Sequence, residues 1–184
     1  NNNSEKKETF DLFKKYQNKY SNFRVIDANY EFNYSKINNQ AVEAAKGEYI
    51  VLLNNDTEII TPHWLQVMVG YAMQPHIGAV GAKLLYPDNT VQHAGIILGI
   101  GGIAQHCFID NPREDVGFYG RLSVPFNYSA VTAACLMVSK EKYLEVNGLE
   151  EDLQVAFNDV DFNLKLLKQG YYNICCLLYT SDAA

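Results

Sequence analysis

The sequence has 184 residues, of which 48% are hydrophobic, and its 21 acidic side chains against 15 Lys and Arg give a net charge of −6. This length suffices for one domain with a buried core, and the hydrophobic content excludes an intrinsically disordered chain. The clusters of Lys and Arg that bind phosphate backbones are lacking, so we expect no nucleic-acid partner.

In the first half of the chain, the apolar patterns predict two helices and two strands. Residues 4–20 and 35–45 have helical spacing, and Gly47 follows the second helix as a C-cap. Residues 23–26 are predicted as a short strand. The run 49–53 is continuously apolar, which is typical of a strand covered on both faces in a parallel sheet. We therefore expect 49–53 to be a central strand.

The second half continues the alternation of helices and strands. Thr61 and Pro62 predict a helix start, as N-cap and first helical residue. The Gly- and Pro-rich stretch 99–128 predicts loops around a site or a small subdomain. The remaining predicted elements are strands at 78–85, 130–138 and 171–178, a short helix capped by Ser139 that ends at Gly148, and a helix at 159–169 whose inward face is Val160, Leu164 and Leu167. This order predicts an α/β fold with a mostly parallel sheet, which binds ligands beyond the carboxyl ends of its strands.

The four cysteines, Cys107, Cys135, Cys175 and Cys176, form no C-x-x-C pair and have no histidine at metal-ligand spacing. We interpret them as small buried hydrophobic residues of a reducing compartment. The sequence has no apolar run of transmembrane length and no signal peptide. We therefore expect a cytoplasmic location, with any contact to the inner face of a membrane made through the acceptor or through regions outside this sequence.

Polar residues at 54–58 follow the apolar run directly. Asp56, flanked by Asn54 and Asn55, supplies carboxylate and amide oxygens, which are ligands for a divalent cation holding a diphosphate. The alternative is a plain turn, because Asn and Asp are common turn residues.

A second acidic segment contains Asp159 and Asp161 at the start of a predicted helix. The helix dipole keeps a carboxylate there ionised, and an ionised carboxylate can act as a general base. The two side chains lie about 200° apart around the helix, so we expect them to have different roles. The alternative is that both only complement the helix N-terminus.

His93 and His106 are further candidates, although a lone histidine is more often structural than a ligand. Neither has an evident partner in the sequence. The nearby glycines at 99, 101 and 102 are weak evidence for a phosphate loop, because no Walker lysine or G-x-G-x-x-G pattern accompanies them.

Taken in order, these segments resemble family 2 glycosyltransferases, most of all the branch that builds bacterial surface polysaccharides such as O-antigen and rhamnan. The resemblance covers about residues 1–175. It is carried by FNYS at 32–35, AKGEY at 45–49, LLNNDT at 52–57, Trp64, GAVGAKLLYPD at 78–88, VQHAG at 91–95, AVTAACLM at 130–137 and FNDVDF at 157–162.

The resemblance implies a GT-A fold, which is Rossmann-like, and transfer of a sugar with inversion from a nucleotide-sugar donor to a saccharide or lipid-linked saccharide acceptor. It implies Mn²⁺ or Mg²⁺ as cofactor, held by Asp56. It also implies Asp159 as the catalytic base. The residues implied to bind the nucleotide sugar are Asn54, Asn55, Asp56, Lys83 and His93.

The sequence departs from the family pattern in four places. Asn158 stands where many relatives have an acidic residue, although this branch often accepts Asn there. Asn54 replaces an acidic residue of the metal motif, and a late histidine that follows the last strand in relatives is absent. The family's first strand and helix are also missing. We therefore expect a partial catalytic domain at 1–178, a foreign or unstructured tail at 179–184, and little activity from residues 1–184 alone. The alternatives are a non-catalytic nucleotide-sugar-binding module and, less favoured, a nucleotidyltransferase.

Overall fold

The computed structural model describes residues 1–100 and 102–182, with side chains up to residue 176. The helices are α1 (Lys7–Lys19), α2 (Tyr34–Ala44), α3 (Trp64–Ala72), α4 (Lys140–Glu145) and α5 (Asn158–Lys168). The strands are β1 (Tyr49–Leu53), β2 (Thr57–Ile59), β3 (Ile77–Leu85), β4 (Val91–His93), β5 (Ile96–Leu98), β6 (Ala104–His106), β7 (Phe126–Tyr128), β8 (Cys135–Ser139) and β9 (Tyr172–Asp182). Among the described residues, no helix is both long and apolar enough to span a membrane.

The central sheet is mixed rather than mostly parallel, which corrects the prediction from sequence. Its strand order is β1-β8-β3-β9-β2, with β4 paired to β3 and β7 paired to β9. Only the β3–β9 pairing is parallel among the described strands; the others are antiparallel. An apolar run shows that a strand is covered by side chains, but it does not show the direction of the neighbouring strands. The predicted α/β class is confirmed.

β1 lies at the end of the strand order, so the expectation that it is a central strand is wrong. Its described pairing is with β8 alone. Ile50 and Leu52 are buried, whereas Leu53 is 44% exposed. The apolar side chains of β1 pack on the two faces of the sheet, and they do not indicate that hydrogen-bonded strands lie on both of its edges.

Helices cover both faces of the sheet, and the alternation of strand residues divides the core accordingly. On one face, Leu136 and Val138 pack with residues of α2, α4 and α5. On the other face, Cys135 and Met137 pack with Met68 of α3. Cys175 and Cys176 are also buried, one in each half of the core, which agrees with their interpretation as apolar residues.

Two predicted elements in the first half differ from the structure. Residues 23–26 form no strand, and the Ile26 carbonyl accepts a hydrogen bond from the amino terminus of Asn1 at 2.8 Å. α3 begins at Trp64 rather than near Pro62, because His63 has a left-handed backbone with φ 59° that interrupts the helix.

Three predictions in the second half also change. β8 begins at Cys135, so only the last part of 130–138 is a strand. The buried face of α5 contains Val160 as predicted, but its other members are Asn158, Phe162, Asn163 and Leu166, while Leu164 is 37% exposed. The backbone of β9 continues to Asp182 and overlaps the expected tail, while 183–184 lie outside the described residues. The predicted boundary between the partial catalytic domain and the tail, at residue 178, stays a prediction.

Candidate active site

The turn 54–56 is brought to the loop 132–134 by strand pairing. β1 and β8 are antiparallel, with Leu53 opposite Cys135, so the end of β1 meets the start of β8. The Asn54 amide donates to the Ala134 carbonyl at 2.9 Å and fixes this contact. Asn54 is partly exposed, and Asn55 and Asp56 are exposed on the turn before β2. Their oxygens are therefore accessible to a ligand.

Asp159 lies in the first turn of α5, as predicted, and both carboxylate oxygens accept backbone hydrogen bonds. Oδ1 accepts from the Val160 amide at 2.8 Å, and Oδ2 accepts from the Ala133 amide at 3.2 Å. The second bond crosses from the helix to the loop that precedes β8. Because these donors are fixed in the backbone, they hold the carboxylate in one orientation.

Two buried asparagines hold that loop in place. The Asn163 side chain accepts from the Val131 amide at 3.2 Å and donates to the Val131 carbonyl at 3.0 Å. The Asn173 side chain donates to the Ser129 carbonyl at 3.1 Å and accepts from the Ala79 amide at 3.1 Å. The loop is thus bonded to α5 on one side and, through Asn173, to the central sheet. Any loss of these bonds would displace the donor that orients Asp159.

Asn54 and Asp159 line a common pocket of about 190 Å³, which we call the turn pocket. They come from segments a hundred residues apart, so the convergence predicted for Asp56 and Asp159 is seen at the neighbouring Asn54. Asp56 itself follows two residues later on the exposed turn. The residues of the turn pocket are Tyr34, Asn54, Thr132, Ala133, Ala134, Val155, Asn158 and Asp159.

Tyr34 is a site residue that the sequence interpretation did not single out. Its hydroxyl donates to the Ala133 carbonyl at 3.1 Å, next to the amide that binds Asp159. Burial, together with the negative charge of Asp159, raises the pKa of Tyr34, so the phenol stays protonated. The sequence feature that could have indicated Tyr34 is its position in the FNYS segment at 32–35, which was used only for the family resemblance.

Asp159 also lines a second pocket of about 230 Å³ together with His106, which we call the histidine pocket. Its residues are Ile96, Ala104, His106, Val155, Ala156, Phe157, Asn158, Asp159 and Val160. Asp159 therefore lines both pockets. β5 and β6, which carry Ile96 and His106, form a separate two-stranded sheet, and Ile96 bridges to Ala130 beside the loop.

His106 has His93 as its partner, which the sequence did not indicate. The two Nδ1 atoms lie 3.0 Å apart. His93 is fully buried, and its Nε2 accepts from the Gly95 amide at 3.3 Å and the Thr132 amide at 3.4 Å. Burial lowers the pKa of His93 well below its usual value, and the nearby His106 lowers this pKa further. Both nitrogens of His93 therefore contact protein groups.

Lys83 likewise lies in the interior, with 1% of its surface exposed and its Nζ 3.4 Å from the Arg113 carbonyl. Burial lowers the pKa of Lys83. Neither Lys83 nor His93, as placed here, presents its side chain to a ligand. Direct binding of a nucleotide sugar by these two residues stays a prediction that the geometry does not favour.

Asp161 has a different partner from Asp159, as helical periodicity predicted. Its carboxylate forms an ion pair with Lys165 at 2.9 Å, one turn along α5. Among residues 1–100 and 102–182, no three His, Cys, Asp or Glu side chains are grouped so that they could hold a metal ion. Among those residues, Asp56 is therefore not a member of a cluster of three such side chains.

The fold resembles that of two solved glycosyltransferases. One is GalNAc-T7 with UDP, GalNAc and Mn²⁺, with a TM-score of 0.75, 13% identity, and coverage of 98% of this chain and 36% of that chain. The other is the mannosyltransferase PcManGT from Pyrobaculum calidifontis in complex with GDP-Man and Mn²⁺, with a TM-score of 0.66, 15% identity, and coverage of 98% and 45%. The fold is thus the GT-A glycosyltransferase fold that the motifs implied.

The chain belongs to glycosyl transferase family 2, whose family model matches residues 1–142. It is 44% identical over 174 residues to the protein y4gI of Sinorhizobium fredii, covering 94% of this chain and 19% of that protein. It is 38% identical over 183 residues to the O-antigen biosynthesis protein RfbC of Myxococcus xanthus, covering 95% and 14%. The chain thus spans less than a fifth of the length of each of these relatives.

Proposed function

We propose that this chain is the catalytic region of a transferase that moves a sugar, with inversion, from a nucleotide-sugar donor to an acceptor hydroxyl. The observation that carries the proposal is the placement of Asp159 in a pocket shared with Asn54. An oriented carboxylate thus lies next to the turn that the family motif assigns to the donor. Family membership supports the reaction class.

In the proposed reaction, Asp159 takes the proton of the acceptor hydroxyl as that oxygen attacks the anomeric carbon of the donor sugar. The bond from this carbon to the diphosphate breaks on the opposite face, and the nucleoside diphosphate leaves with the bonding electrons. The Ala133 and Val160 amides fix the orientation of the Asp159 carboxylate, which general-base catalysis requires.

The donor diphosphate is assigned to the turn 54–56, where Asp56 and the amide oxygens of Asn54 and Asn55 would hold a divalent cation. This donor set fits Mg²⁺ or Mn²⁺ bound through one carboxylate, water and the phosphates of the substrate, rather than an all-protein cage. Bound there, the cation would neutralise charge on the leaving diphosphate. The solved neighbours contain Mn²⁺, which supports a divalent cation as the cofactor.

The biological role that we propose is synthesis of a bacterial surface polysaccharide, with a saccharide or lipid-linked saccharide as acceptor. The support is the similarity to RfbC. The turn pocket, at about 190 Å³, is smaller than the roughly 300–1,000 Å³ of sites that enclose a drug-sized ligand. We therefore assign it to the sugar end of the donor alone.

The proposal is tested on the full-length protein with a panel of UDP-, GDP-, dTDP- and CDP-sugars, with Mn²⁺ and with EDTA. We expect metal-dependent release of a nucleoside diphosphate and a product whose anomeric configuration, read by NMR, is inverted. Release of pyrophosphate from a sugar phosphate and a nucleoside triphosphate would instead show a nucleotidyltransferase. A thermal shift with a nucleotide sugar but no turnover would show a binding module.

A further inference from the structure

Asn158, the residue before Asp159, lines both the turn pocket and the histidine pocket, although only 4% of its surface is exposed. Its side-chain nitrogen Nδ2 donates to the Leu153 carbonyl at 3.3 Å. Because a carbonyl oxygen can only accept a hydrogen bond, this contact fixes which end of the side-chain amide faces Leu153. The amide oxygen Oδ1 therefore points away from Leu153.

The bond to Leu153 does not by itself explain an asparagine at position 158. The Leu153 carbonyl also accepts a shorter bond, at 2.9 Å, from the hydroxyl of Ser35 in α2. Asn39 of the same helix holds the loop a second time by donating to the Leu149 carbonyl at 2.9 Å. The loop before α5 is thus held in place by α2, and the bond from Asn158 is the longer of two bonds to one carbonyl.

The oxygen Oδ1 of Asn158 is a free hydrogen-bond acceptor. No donor in the part of the chain that the structure describes bonds to it, and it is not among the oxygen atoms sealed in the interior there. An amide oxygen in such a position is satisfied by water or by a ligand. Because Asn158 lines the two pockets, a molecule bound in them can supply the donor.

The other polar groups of the turn pocket also suit a ligand that donates hydrogen bonds. Its lining contains the Asp159 carboxylate but no Lys, Arg or His, and none of the described cationic side chains forms an ion pair with Asp159. The Tyr34 hydroxyl gives its proton to the Ala133 carbonyl, so any further bond to this oxygen is accepted. Sugar hydroxyls match these acceptors, whereas a sugar carboxylate would meet the like charge of Asp159.

We propose that Asn158 Oδ1 accepts a hydrogen bond from a hydroxyl of the donor sugar in the turn pocket, and that this pocket selects a neutral sugar over its uronic acid. This inference rests on the proposed transferase function, which assigns the turn pocket to the sugar end of the donor. Asn158 is then a specificity-determining residue that contacts the transferred sugar. Loss of its oxygen weakens binding of the nucleotide sugar but not of the bare nucleoside diphosphate.

The test measures equilibrium binding to the full-length protein with Mn²⁺ by isothermal titration calorimetry. The probes are UDP, GDP and dTDP, the glucose, galactose or mannose derivative that wild type binds, the analogues of that derivative that each lack one sugar hydroxyl, and its uronic acid. The variants are Asn158→Leu, which has a similar shape but no acceptor, and Asn158→Asp, which keeps an acceptor. Ser35→Ala is the matched control, because it removes the other bond to the Leu153 carbonyl from outside the pocket.

We expect wild type to bind one hydroxyl-lacking analogue about 5-fold more weakly than the parent nucleotide sugar, the effect of one lost hydrogen bond. Asn158→Leu should bind the parent and that analogue equally, with the Kd of the nucleoside diphosphate within about twofold of wild type. Asn158→Asp should restore the preference for the parent, and Ser35→Ala should keep it. The uronic acid should bind wild type about 10-fold or more weakly than the parent.

Three results would overturn the proposal. Equal binding of every hydroxyl-lacking analogue to wild type needs no variant, so it decides the matter even if Asn158→Leu fails to fold. Loss of the preference in Ser35→Ala would show that Asn158 acts only through the loop. Equal binding of the uronic acid and the neutral sugar would show that the pocket does not select by charge. If wild type releases no nucleoside diphosphate from any donor, the transferase function itself fails, whereas normal transfer beside any of the three results removes only the role of Asn158.

Discussion

Replacing Asp159 by Asn should damage the site in two separable ways, because the carboxylate accepts two backbone hydrogen bonds and is also the proposed general base. Both oxygens accept from backbone amides, at 2.8 Å from Val160 and 3.2 Å from Ala133. An asparagine has only one acceptor atom. In either orientation of the side-chain amide, its NH₂ group would face a backbone N–H. Two hydrogen-bond donors would then face each other with no acceptor between them. Asp159→Asn therefore cannot be a silent substitution for the fold.

The two effects differ in size. One lost acceptor that leaves a backbone amide unsatisfied costs about 1–3 kcal/mol of unfolding free energy. For a chain of this length that lowers Tm by roughly 2–12 °C. Loss of a general base lowers the rate by about 10²–10⁴-fold, which is about 3–5.5 kcal/mol of activation free energy. The effect on transfer in folded protein should exceed the effect on stability.

The assay is single-turnover sugar transfer in full-length protein, with donor affinity and thermal unfolding measured beside it. Asp161→Asn is the matched control, because it removes a carboxylate from the same helical turn but breaks only a partly exposed ion pair with Lys165. That pair contributes about 0.3–0.5 kcal/mol. We expect Asp161→Asn to transfer sugar normally and Asp159→Asn to bind donor but barely transfer it. Near-normal transfer by folded Asp159→Asn would remove Asp159 from the mechanism.

Three further predictions concern the metal, the buried asparagine and the buried histidines. Asp56→Asn should raise the donor Kd about 10-fold or more in Mn²⁺ but change it little in EDTA, because the carboxylate acts through the cation. An equal donor Kd for wild type and Asp56→Asn in Mn²⁺ would contradict the role of Asp56 in holding the cation. Asn163→Ala should lower the free energy of unfolding by about 2–4 kcal/mol, since it leaves the Val131 amide and carbonyl without partners, and urea titration measures this against the exposed control Asn55→Ala. Burial lowers the pKa of His93 and His106 in the folded state, so their contribution to stability is full above the unfolded pKa of about 6.5 and is lost as pH falls below it. Urea titrations at pH 7.5 and 5.5 should show this loss of unfolding free energy in wild type and a smaller loss in His93→Gln. Equal losses in the two proteins would refute the prediction.

The parts of the site that the sequence predicted are those set by local structure. Asp159 begins a helix and 54–56 ends a strand, and both features are visible in a window of a few residues. The two neighbourhoods meet at one pocket, with Asn54 rather than Asp56 in its wall, but they do so through the antiparallel pairing of β1 with β8 and not through the carboxyl ends of parallel strands. The fold class followed for the same reason, because alternation of helices and strands is a local signal.

The parts that sequence could not supply depend on pairing between distant segments. The Ala133 amide reaches Asp159 only because Asn163 and Asn173 hold the loop 129–131, and nothing in the spacing of these residues signals that contact. The partnership of His93 with His106 depends on two short strands in different sheets. The position of β1 at the end of the strand order was missed because apolarity describes the faces of a strand and not its lateral neighbours.

The separate β5–β6 sheet has a consequence for how this family could diversify. It carries His106 and Ile96, which line the histidine pocket with Asp159, while Asn54 of the turn 54–56 lines the turn pocket with the same residue. If the acceptor is recognised there, a change of acceptor needs new residues only in a short hairpin, and the machinery that activates the donor is untouched. Exchanging β5 and β6 between relatives is then a route to new linkages, in nature and in the laboratory.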